Sequence, residues 1–237
     1  MRAQRLAKTT VTLALLGAVT LLAAPGVQAA IAADVHQVLL TESGWTHVST
    51  NDEDGLQLYK KHIASLGVNA FMGKKILDPG VNDDILFKLI SDVGNHETFS
   101  SNLHESTELG GGDYYQVIKA PKMLPVSERY WFNHATSDRN VGGVNGHLRR
   151  TWNGIDSSTY ATELGHVTST YADAIEIAFT YGMWEIVPND SGPSTLLYRT
   201  VSNPGGDIPA WVMSSLIGRT LPDNMRTFEK AALKASQ

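Results

Sequence analysis

The stretch SNPGGDIPAWVMSSL, Ser202 to Leu216, joins two kinds of backbone. Asn203-Pro204-Gly205-Gly206 stops the strand-like run Thr195–Ser202, Asp207 suits a helix N-cap, and Pro209 sits near a first turn that needs no N–H. From there to Ser236 the chain reads as one long helix that Pro222 kinks or breaks. Along it Met213, Ile217, Thr220 or Leu221, Asn224 and Phe228 recur at three- and four-residue spacing and form one broad face. Trp211, Val212, Leu216 and Met225 widen that face beyond a narrow seam. A plain core helix explains the pattern. So does a helix closing over a ligand, because apolar walls with a few polar groups are how small-molecule pockets are built.

Upstream, short runs of strand character follow one another: Trp45–Thr50, Gly55–His62 and Val68–Ile76, then Leu103–Leu109, Tyr114–Ala120, Tyr130–Thr136, His147–Asn153 and Ala174–Val187. GLQLYK alternates apolar and polar residues, the period of a half-buried strand. Turn signals at Gly110–Asp113, Gly142-Gly143 and Asn189–Gly192 predict an antiparallel meander. A helix is expected over Val81–Val93, with Val81, Ile85, Leu86, Leu89 and Ile90 on one face, and helix signals also lie at Ala33–Thr41. One antiparallel sheet with one short and one long helix is an α+β domain.

The first 29 residues read as a cleavable secretory leader. Arg2, Arg5 and Lys8 precede an apolar run from Val11 to Ala24, and Val27-Gln28-Ala29 offers small residues at the cleavage spacing. That run is shorter than the roughly 20 residues a membrane span needs. Residues 30–237 are then expected to form a single domain that is secreted or periplasmic. The full chain carries 19 basic and 24 acidic side chains; losing the leader's three basic residues leaves 16 against 24, a net charge of −8. That balance argues against nucleic acid as a partner, since phosphate binding needs clustered Lys and Arg. There is no cysteine, so neither disulfides nor a thiolate metal site are expected.

Motifs of catalysis are missing. The eight histidines are scattered without a His-x-x-x-His pair, and there is no Gly-x-Ser-x-Gly elbow, P-loop or Gly-x-Gly-x-x-Gly. Gly110–Gly112 lies between two strands and reads as a hairpin turn. Asp83 and Asp84 suit the first turn of a helix. Neither cofactor nor metal is expected. Two polar features stand out: Glu176 inside AIEIAFTY, and Arg149-Arg150 ahead of Trp152. A charge in such a strand either points to water or faces a cavity, satisfied by a partner such as Arg150 and able to bond the polar end of a ligand.

Taken together, GLQLYKK, DDILFKLISDV, YYQVIKAPKMLPVSERYW and YGMWEIVP, followed by TLLYRTVSNPGGDIPAWVMSSLIGRTLPDNMRTFEK, resemble START, the steroidogenic-acute-regulatory-related lipid-transfer domain of the helix-grip superfamily. The resemblance runs from about Trp45 to Lys234. Most specific is Ser202 to Trp211, where the family has an Asp-Pro-Gly-Gly-like turn, Ile-Pro and a tryptophan-bearing helix; Asn203 stands in place of Asp. Pro125–Arg129 resembles the family's Pro-Val-Ser-x-Arg-Asp, with Tyr130 in place of the Asp, and Phe99 stands where a Trp is common. Where sterol-binding members often carry an arginine of a buried charged pair, this chain has Glu176, so the resemblance implies a reversed pair of Glu176 with Arg149 or Arg150.

The resemblance implies a helix-grip fold, an antiparallel sheet wrapped around the C-terminal helix with a lipid-sized tunnel between. The expected function is that of an exported lipid-binding or lipid-transfer protein, holding a sterol, phospholipid, fatty acid or similar molecule and touching membranes transiently. Burying apolar ligand surface at about 25 cal/mol per Å² makes a few hundred Å² worth several kcal/mol. Met213, Ile217, Thr220, Leu221, Asn224 and Phe228 are the expected lining from the helix, and Glu176, Ala178 and Arg150 from the sheet. Pro222 and Gly218 are places for a lid to flex. No catalytic residue is expected. The alternative is a helix-grip cyclase or hydrolase on a hydrophobic substrate, with Glu176 or Asp113 as acid–base group. A third reading is a sensor module for a membrane partner.

Overall fold

The computed structural model describes residues 25–120, 126–205 and 210–237, and within the first and last helices the side chains from Ala32 and from Gly218 onward. In chain order the elements are α1 (Pro25–Leu40), β1 (Thr46–Thr50), β2 (Gln57–Ile63), β3 (Val68–Ile76), α2 (Asp83–Ser91), β4 (Leu103–Gly110), β5 (Asp113–Ile118), β6 (Arg129–Arg139), β7 (Leu148–Gly154), α3 (Ala161–Thr170), β8 (Ile175–Glu176), β9 (Phe179–Val187), β10 (Thr195–Asn203) and α4 (Ala210–Ala235). The strands form one sheet in the order β1-β2-β3-β10-β9-β7-β6-β5-β4. Its pairs are antiparallel except β8, which runs parallel beside the start of β6. The chain is therefore α+β, a large sheet with a long C-terminal helix, as the order of strand and helix patterns predicts.

Alternation along the strands divides the sheet into two faces. The inner face receives α2 and α4: Leu86, Phe87 and Ile90 of one and Leu221, Met225, Phe228 and Ala232 of the other cluster with Leu58, Phe71, Trp184, Ile186 and Leu196. On the outer face, Val35 and Leu39 of α1 pack on Ile63, Ala70, Met183 and Val201. Val167 of α3 covers Tyr115, Val117, Tyr130 and Phe132 on the same side.

Local chemistry sets the element ends. The Asn82 side chain accepts from the Ile85 N–H at 3.1 Å, capping α2 with Asp83 and Asp84 in its first turn, where carboxylates meet the positive end of the helix dipole. On β3, Gly73 lets α4 come close: a Cβ there would overlap the Met225 sulfur and a Leu221 methyl. Gly182 of β9 does the same for the Trp152 ring.

Three expectations change. The strand expected over Ala174–Val187 is two, β8 and β9, separated by Ile177-Ala178. The helix α3 has no counterpart in the sequence reading, because ATELGHVTST contains an internal glycine and buries Val167 alone. Finally, α4 is not broken at Pro222, which lies inside a continuous helical run.

Candidate ligand site

The turn that leads into α4 is fixed to the sheet by Arg129. Its guanidinium donates to the carbonyls of Pro204 (2.6 Å), Gly205 (3.3 Å), Ser127 (2.6 Å) and Glu128 (3.1 Å). Asn203 accepts from the Gly205 N–H at 3.0 Å. Gly205 has φ +67°, and a Cβ on it would press on the Glu176 carbonyl, so this position calls for glycine. The arginine of PVSER and the Asn-Pro-Gly turn, far apart in sequence, form one anchor at the entry to α4.

From Leu221 onward α4 is seated in the core. Phe228 stands edge-on to Trp184, His96 and Phe99, with ring centroids 5.3, 5.0 and 5.1 Å away. Next to this apolar patch the inner face becomes polar. Tyr198 of β10 stacks on Trp184 at 4.0 Å, and its hydroxyl faces the Asn224 and Thr200 side chains. Burial drives that phenol far above its ordinary value. Tyr114 of β5 is likewise buried, its pKa pushed up to about 12; its hydroxyl pairs with Asn133, whose amide oxygen also accepts from Trp131 Nε1 at 3.2 Å. Arg150 of β7 completes the group, with Nη1 donating to Ser137 Oγ at 3.0 Å.

His96 follows α2 and faces the same region. Its Nε2 lies 3.1 Å from the Leu89 carbonyl and 3.2 Å from that of Ile90, and Gln116 donates to Nδ1 at 3.2 Å. These partners select the neutral Nε2–H tautomer. Burial outweighs the carbonyl bonds and lowers the pKa to about 4. A histidine depressed in the folded state stabilises above its unfolded value, and that contribution is lost as pH falls towards the folded value. Folding stability should therefore drop by about 3 kcal/mol between about pH 6.5 and pH 4 on this account alone. Denaturation midpoints across that range, for the chain and for His96→Gln, check this: the substitution should flatten that part of the profile.

Several expected lining residues meet here. Asn224 touches Tyr198, Phe228 walls the apolar end, and Arg150 lies across the sheet from them. Leu221 is packed over Gly73, and Thr220 is exposed. The side chains of Met213 and Ile217 lie outside the described residues. Glu176 and Ala178 are not brought to this group. Glu176, in β8, lies beside the Tyr130 hydroxyl, and Ala178 is exposed in the break before β9.

The expected pair of Glu176 with Arg149 or Arg150 gives way to a different one on the outer face. Arg149 donates to Glu185 Oε1 through Nε (2.9 Å) and Nη2 (2.7 Å), and His147 lies 3.1 Å from the same oxygen. Arg199 bonds the other oxygen and reaches Glu42 at 3.3 Å. Asp113 also faces outward, held by His134 at 2.6 Å and by the Tyr160 hydroxyl. Both carboxylates considered for acid–base work thus lie away from α4. Among the described residues no three His, Asp or Glu side chains converge on a metal-sized site, and no helix is long and apolar enough to cross a membrane.

Sequence reasoning missed Tyr114, Tyr198, Trp184 and His96. Tyr198 was within reach, since Leu196, Tyr198 and Thr200 share one face of β10 and Leu196 is in the core.

This architecture is that of the START-like, helix-grip fold. Human StAR-related lipid transfer protein 5 superposes with a TM-score of 0.71 at 12% identity, covering 90% of this chain and 97% of its own. A STAR-related lipid transfer protein from Xanthomonas axonopodis gives 0.61 at 18% identity over 81% and 99%. An uncharacterised protein of Pseudomonas aeruginosa is 23% identical over 189 residues, 77% of this chain and 85% of its own. No family model matches the sequence.

Proposed function

We propose that this chain is an exported carrier that holds a hydrophobic small molecule between the inner face of the sheet and α4, without catalysing a reaction on it. The observation that carries the reading is the group under α4, where Tyr198, Asn224, Tyr114 and Arg150 lie beside the aromatic wall of Trp184 and Phe228. Apolar walls with a few fixed polar groups suit an amphipathic ligand. The START-like fold supports it, and so does the leader-like start of the sequence, which favours a secreted or periplasmic carrier that contacts membranes transiently. Lipid is the ligand class that fits best. A brominated fatty acid or sterol is expected to quench tryptophan fluorescence saturably at one ligand per chain, with Trp184→Phe removing a large part of the effect. Absence of saturable quenching by either probe counts against the reading.

A further inference from the structure

We propose that the ligand carries an anionic group, a carboxylate or a phosphate monoester, and that Arg150 is the residue that holds it. The inference rests on the hydrophobic-ligand reading and adds the charge of the ligand to it.

The arginines of the central sheet are not alike. Arg149 and Arg199 share Glu185, Arg139 pairs with Asp84 at 2.5 Å, and Arg129 is surrounded by carbonyls. Arg150 alone among these holds a single neutral acceptor, Ser137, and has no carboxylate within ion-pair distance among the described residues. None of its nitrogens is sealed from the surroundings without a partner, unlike Nε of Arg199. The remaining N–H groups are open to whatever occupies the space beside them. Half-burial already costs this cation hydration, and a bound anion would offset that cost. A guanidinium presents parallel N–H donors that match a carboxylate or phosphate.

A cleft lies next to the partner serine of Arg150. A cleft of about 570 Å³ opens between α2 and the end of β6, lined by Asp84, Ile85, Phe87, Lys88, Ser91, Ser137 and Arg139. Ser137 in that lining is the serine that Arg150 bonds. Ser91, in the same lining, has a buried hydroxyl without a hydrogen-bond partner. In that lining Asp84 is taken by Arg139 and Lys88 is exposed with no ion pair among the described residues, while the exposed Glu108 of β4 is the acid that acts on the guanidinium.

Three ligands with the same chain test this on the full-length protein: hexadecanol, hexadecanoate and hexadecyl phosphate, measured by displacement of one fluorescent probe at neutral pH. At least one anionic ligand should bind tighter than the alcohol by about tenfold or more, the scale of one charge-assisted hydrogen bond, and which one does separates a carboxylate from a phosphate ligand. Arg150→Gln should abolish that preference, and Arg150→Lys should retain part of it. A thermal midpoint and a near-ultraviolet circular dichroism spectrum like those of the native chain show that the variant is folded. Equal binding of all three by the native chain, or a preference that survives Arg150→Gln, overturns the inference and leaves the hydrophobic-ligand reading standing. Failure of all three to bind overturns both.

Discussion

Replacing Glu185 with Gln is expected to lower the free energy of unfolding by about 3–5 kcal/mol, the cost of removing one partner from a buried ion network. Arg199 is only 3% exposed and relies on Glu185, its other acidic contact being the exposed Glu42. Without the carboxylate, Arg149, His147 and Arg199 converge on a neutral amide on the outer face. Urea denaturation at neutral pH measures the loss. The same group sets an acid limit. Burial alone would raise the Glu185 pKa, but Arg199 and Arg149, with the His147 bond, outweigh it and hold the carboxyl below its ordinary 4.5. A depressed carboxyl contributes stability above its unfolded value, and that contribution is lost as pH falls through the folded one. The native chain should therefore weaken below about pH 4.5 in a way that Glu185→Gln does not.

Phe228→Ala is the second large effect, about 3–5 kcal/mol, as for other buried aromatic truncations. The ring touches Trp184, Phe99 and His96 at once, so no single neighbour can collapse into the space it leaves. A second readout distinguishes this from general loosening. With its apolar cover gone, His96 is expected to regain hydration and titrate nearer its ordinary 6.5 than the value of about 4 it has beneath Phe228. Imidazole proton shifts by NMR, followed against pH in a variant that remains folded, would report it.

Much of this fold is legible in the sequence because strong local signals agree with one another. The Asn-Pro-Gly turn, the alternation of GLQLYK and the capped start of α2 each fix a piece of backbone, and the order of strands and helices does the rest. The structure adds why PVSER and the turn occur together: Arg129 bonds the carbonyls of that turn. The site was legible only in part. Asn224, Phe228 and Arg150 stood out by helix spacing or by charge. Glu176 stood out for the same reason, yet the break at Ile177-Ala178 puts it on a separate two-residue strand and leaves Glu185, nine residues on, to collect the arginines. Which glutamate meets an arginine depends on cross-strand register, and Arg149 is opposite Glu185 in the β7–β9 pairing. Tyr114 and Tyr198 were hidden for another reason: a tyrosine in a strand looks the same whether its hydroxyl reaches water or an asparagine.

The central claim is that an amphipathic molecule occupies the space beneath α4, and native mass spectrometry of the protein purified from its own host tests it most directly. The account predicts a stoichiometric adduct of one or a few masses that solvent extraction releases as a lipid-like compound bearing an acidic group. A protein that arrives bare, and that takes up no fatty acid, phospholipid or sterol when these are supplied, would contradict it.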